Sequence, residues 1–169
     1  MRCDEGSATP ADPSGPGSPE SLGMTGYWPL LLQAFATFAM TGLIWFVQVV
    51  HYPLFRAVGA PGYAAYQDQH MRLTTLVVGP LMLVEVATAA WLVRHRPDAI
   101  PPALPWLGLG LLAVIWLATA LLSVPRHEAL RHGFDGPAHA ALVATNWIRT
   151  AAWTARSGLL LLALRAALR

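Results

Sequence analysis

The chain has 169 residues, 55% of them hydrophobic and 12% charged, where an average soluble domain carries roughly 25% charged residues. Its formal net charge is +2, and its apolar residues gather in four long blocks. Together these exclude a soluble enzyme, a secreted disulfide module and a nucleic-acid-binding domain, and the single Cys3 rules out an internal disulfide framework.

Residues 1–26 differ from the rest. The run from Ala8 to Pro19 is rich in Pro, Gly and Ser and lacks the apolar surface that offsets chain entropy, which predicts disorder. No apolar stretch follows Arg2, so the segment does not read as a signal peptide, and Met24 competes with Met1 as the start. The four blocks, Tyr27–Val50, Leu73–Val93, Ala103–Val124 and Ala140–Leu168, each reach the ~20 residues that cross a bilayer. The expected fold is therefore an all-α, four-helix transmembrane bundle over residues 27–169. Its spans fall at about 27–51, 71–94, 103–124 and 138–168.

The first span opens with Tyr27-Trp28-Pro29, suited to the interface and to a first helical turn. The second contains Gly79-Pro80, which predicts a kink one turn before Glu85. The third is apolar on every face, and its Gly108-Leu109-Gly110 run reads as close helix packing. The fourth opens at Asp135-Gly136-Pro137, a cap followed by proline, and carries Arg149 and Arg156. Between the first two spans, Tyr52-Pro53-Leu54-Phe55 with Tyr63 and Tyr66 reads as a routine aromatic belt at the interface, with an aromatic interfacial helix over the mouth of the bundle as the alternative. An even number of spans puts both termini on one side. The flanking arginines divide evenly, and the Arg94-His95-Arg96 hairpin with the basic C-terminus tips that side towards the cytoplasm. The absence of lysine reads as the codon usage of a GC-rich bacterial genome, hence a bacterial inner membrane.

Polar side chains inside spans are costly, and they mark function or face the bundle interior. At 100° per residue, Gln33, Thr37, Thr41, Trp45, Gln48 and His51 share an arc of roughly 120°, as do Asn146, Arg149, Thr150, Trp153, Arg156 and Ser157. On the second helix His70, Thr74, Glu85 and Thr88 fall within roughly 60°. Such stripes are expected to meet. Depth at ~1.5 Å per residue sets Glu85 between Arg149 and Arg156, leaving one guanidinium spare.

Five of the six histidines lie on the other side of the membrane from His95, and His51, His70, His127 and His139 are the candidate ligands of a transition metal ion (Fe, Cu or Zn) or a haem. Glu85, Arg149 and Arg156 are then the candidate catalytic groups, a polar floor for a small anionic or apolar substrate. Gln48, Asn146 and Trp153 are candidate cofactor contacts. Two functions fit: a metal- or haem-dependent membrane oxidoreductase, and a non-catalytic carrier or assembly subunit. In the second, the histidines only meet water and headgroups, and the apolar third helix docks on a partner subunit or a second copy. No nucleotide-binding or nucleophile-elbow pattern is present.

Overall fold

A computed structural model describes Tyr27–Arg169, all helices and connections; the segment expected to be disordered, 1–26, lies outside the described residues. Helix α1 runs Trp28–Phe46, α2 Tyr63–Arg94, α3 Ala103–Ala118, α4 Val124–Arg131 and α5 Gly136–Ala167. Counted with the turns that prolong them, Trp28–Ala57, Ala60–Arg94 and Ala103–Arg131 are long and apolar enough to cross a membrane. Helix α5 has the length, but Asn146, Arg149, Thr150 and Arg156 lie buried along it, and it does not reach the apolarity of the other three. Outward-facing residues are large and apolar, among them Phe35, Leu76, Leu83, Leu117 and Leu161, as lipid contact requires.

Two connections expected from the sequence, His51–Arg72 and Pro125–His139, are largely helix. The first helix continues through a π turn at Val47–His51 into a helical turn at Tyr52–Leu54, and α2 already starts at Tyr63 rather than near residue 71. The third helix continues through a second π turn, Thr119–Ser123, into α4. Each π turn ends two residues before a proline, Pro53 or Pro125. Proline has no N–H to donate and its ring crowds the carbonyl four residues back, so a widened turn relieves the clash without ending the helix. Pro80, by contrast, sits within an unbroken α2. The cap at Asp135 forms as expected, its carboxylate accepting from Ala138 N–H at 2.9 Å.

Three apolar layers divide the interior. Leu30, Leu92, Ile100, Leu160 and Ala163 pack at the end near the α2–α3 link. Met40, Ile44, Met82, Ile115 and Trp153 form the middle. Tyr52, Phe55, Tyr63, Leu130 and Leu142 form the opposite end. The segment expected to lie at the interface therefore supplies a core. Its rings turn inward because Tyr63, Gln67 and His70 recur at helical spacing and are buried, facing α4 through His127 and Leu130. α1 packs on α2 and α5, and α3 packs along α5.

Candidate functional site

Polar side chains of the three stripes meet between the apolar layers, in two groups. The first centres on Glu85, which is fully buried. Its Oε1 accepts from Thr37 Oγ1 at 2.7 Å and from Arg156 Nη2 at 3.2 Å, and its Oε2 accepts from Trp153 Nε1 at 2.9 Å. Thr37 in turn accepts from Gln33 Nε2 at 2.8 Å, and Gln33 Oε1 accepts from Thr88 at 2.6 Å. Arg156 Nη1 also donates to the carbonyl of Gly108 on α3. Three donors, one of them cationic, satisfy both oxygens of the carboxylate in an apolar interior. The Glu85–Arg156 contact is the one buried ion pair among the described residues.

Arg149 does not share Glu85. Its Nη1 donates to Ser123 Oγ at 3.1 Å and Asn146 Oδ1 at 3.2 Å, and its guanidinium lies 5.4 Å from the centre of the Trp153 ring. Asn146 Nδ2 donates to Gln48 Oε1 at 2.9 Å, and Gln48 Nε2 donates to the carbonyl of Val143. Arg149 Nε has no partner, and no carboxylate lies in ion-pair range among the described residues. The spare guanidinium expected from the sequence is thus Arg149, and it sits beside the histidines.

The second group is the histidine end. All four candidate ligands surround Phe55, with ring centres 5.2 Å (His51), 5.0 Å (His70), 6.3 Å (His127) and 6.2 Å (His139) away. Their nitrogens are engaged differently. His51 Nε2 and His70 Nδ1 share a hydrogen bond of 2.9 Å, which needs one donor and one acceptor, so at least one of the two rings is neutral. His127 Nδ1 accepts from Gln67 Nε2 at 2.8 Å, leaving its Nε2–H to donate to Tyr52 Oη at 2.8 Å. His139 Nε2 donates to the carbonyl of Tyr52 at 2.7 Å. Only His51 and His70 of the four bond to each other, with Thr74 Oγ1 also 3.2 Å from His70 Nδ1, and no three His, Cys, Asp or Glu side chains among the described residues are arranged to hold one metal ion.

Sequence reasoning missed Gln67, Tyr52 and Ser123 as members of this network. Gln67 shares the helical spacing of His70, but it lies outside the second apolar block, so the polar stripe drawn for that span starts only at His70. The prolines at 53 and 125 are the legible sign, since each follows a π turn, and those turns bury Gln48 and Ser123. No family model matches the chain, and no curated protein or solved structure does either.

Proposed function

We propose that the chain is a metal-dependent redox protein of the membrane, with His51 and His70 as two ligands of a copper or iron ion. The carrying observation is the 2.9 Å approach of His51 Nε2 to His70 Nδ1 from two different helices. Two imidazoles bound side by side to one ion, with metal–nitrogen bonds of about 2.0–2.1 Å in a tetrahedral arrangement, stand about 3.3 Å apart. The observed separation is shorter than that by about 0.4 Å, and the two rings must also turn so that both lone pairs converge on one ion off the hydrogen-bond axis. Ligands on opposite faces of a haem would stand about 4 Å apart with the ring between them, which disfavours a haem held by both. Imidazole suits copper and iron, and redox work excludes zinc, which has no second oxidation state.

His127 and Tyr52, held by Gln67, form a buried hydrogen-bonded pair beside the ligands that can hold a proton. Arg149 supplies an uncompensated positive charge for a small anionic substrate. This reading takes α5 as a fourth span, with both termini on the cytoplasmic side of a bacterial inner membrane.

The test is metal and haem analysis of protein purified from cells replete in iron, copper and haem. About one copper or iron per chain is expected, and His51→Ala and His70→Ala should each remove it while helical content holds. Metal-free wild-type protein refutes the reading. A non-catalytic carrier or assembly subunit is the second reading. Its support is that His127 spends both ring nitrogens and His139 its Nε2 on partners within the chain, and a stoichiometric membrane partner in a gentle pull-down would establish it.

A further inference from the structure

We infer that the opposite half of the bundle holds a separate binding site for a lipid-soluble molecule bearing a neutral carbonyl. A cavity of about 50 Å³ lies there, walled by Leu30, Leu92, Ile100, Leu160 and Ala163, with Gln33, Thr37 and Arg156 at its polar end. Such a space holds the tip of a molecule, a few heavy atoms, since about 10–15 Å³ on this measure suffices for one water. Its rim residues Leu104, Pro105, Gly108 and Leu159 are partly exposed, between α3 and α5. Leu107 and Leu162, beside the rim in sequence, are exposed apolar side chains, so the approach runs through lipid rather than water.

Two observations select the ligand. Arg156 is 3% exposed, and its Nε has no hydrogen-bond partner, so a buried donor is left over at the cavity's polar end. The other polar groups there are committed: Gln33 to Thr37 and Thr88, Thr37 to Glu85. An acceptor is therefore what the site lacks. Charge decides which kind. Arg156 is already matched by Glu85, so the pair is neutral and an added carboxylate or phosphate would be an uncompensated buried anion. A quinone carbonyl or a lipid ester carbonyl meets the donor without that cost. This site does not depend on the histidine end, and it stands if the metal reading fails.

The experiment titrates delipidated wild-type protein in detergent with a decyl-substituted benzoquinone, with decylbenzene as the carbonyl-free control, by calorimetry. Saturable binding of one quinone per chain is expected, about tenfold or more tighter than decylbenzene, the contribution of one hydrogen bond from a charged donor. Ala163→Leu, which fills the cavity without touching Arg156, should weaken it about tenfold at unchanged helical content, and Arg156→Lys, which keeps the charge but removes Nε, should erase the preference over decylbenzene. Competition by a short-chain diacyl phosphatidylcholine would assign the site to lipid esters, and its failure to compete would assign it to quinones. Equal affinity for quinone and decylbenzene, no saturation, or an Ala163→Leu variant that binds as wild type would each overturn the inference.

Discussion

Replacing Glu85 tests the centre of the bundle most directly. Glu85→Ala strands Arg156 as an unpaired buried cation and leaves the Thr37 hydroxyl and Trp153 N–H without their acceptor. Breaking a buried pair by removing one partner costs about 3–5 kcal/mol, and the two neutral donors fall within that figure because they act as one network. Glu85→Gln keeps an oxygen for one side of the network but turns an NH2 group towards a donor on the other, so a loss of about 1–3 kcal/mol is expected. The discriminating measurement is a pair of double-mutant cycles, read as equilibrium unfolding in mixed detergent. Glu85→Ala with Arg156→Leu should recover part of the loss, with a coupling energy of about 1–3 kcal/mol. Glu85→Ala with Arg149→Leu should be closer to additive, because Arg149 reaches Glu85 only across the Trp153 ring. Equal coupling to both arginines, or none to Arg156, would refute the network described above.

Other outcomes follow from the same geometry. Arg149→Leu alone should leave stability nearly unchanged or raise it, since it removes a buried cation with no carboxylate partner; Arg156→Leu should cost about 3–5 kcal/mol in the same unfolding assay. Gln67→Ala deprives His127 Nδ1 of its buried donor, and a loss of about 1–3 kcal/mol is expected together with altered His127 resonances by NMR. Asp135→Ala removes the cap of α5 and should cost about 1 kcal/mol, with faster amide exchange in its first turn.

Much of this was legible in the sequence because a membrane imposes simple conditions. Long apolar blocks declare helices, and the cost of burying Glu85, Arg149 and Arg156 forces their helical faces to meet whatever the loops do. The three polar stripes could therefore be drawn from periodicity alone, and with them the prediction that Glu85 meets an arginine. Which arginine was beyond it: 100° spacing and axial depth leave Arg149 and Arg156 equivalent, and only the packing of Gly108 against Arg156 and of Trp153 between Arg149 and Glu85 separates them. The extent of the helices was lost for a different reason. Tyr52–Arg72 and Val124–Arg131 are too polar to read as spans, so hydropathy alone does not join them to the helices they prolong. The inward face of these segments turns on tertiary partners, Tyr52 for His127 and His139, and Gln67 for His127. By their positions at one end of the spans, His51, His70, His127 and His139 read in the sequence as one set of four. The folded chain divides them, because hydrogen bonds satisfied inside the bundle claim His127 and His139 and leave His51 and His70 facing each other. Sequence sets which groups must be hidden from lipid; the packing of the helices decides which partner each one finds.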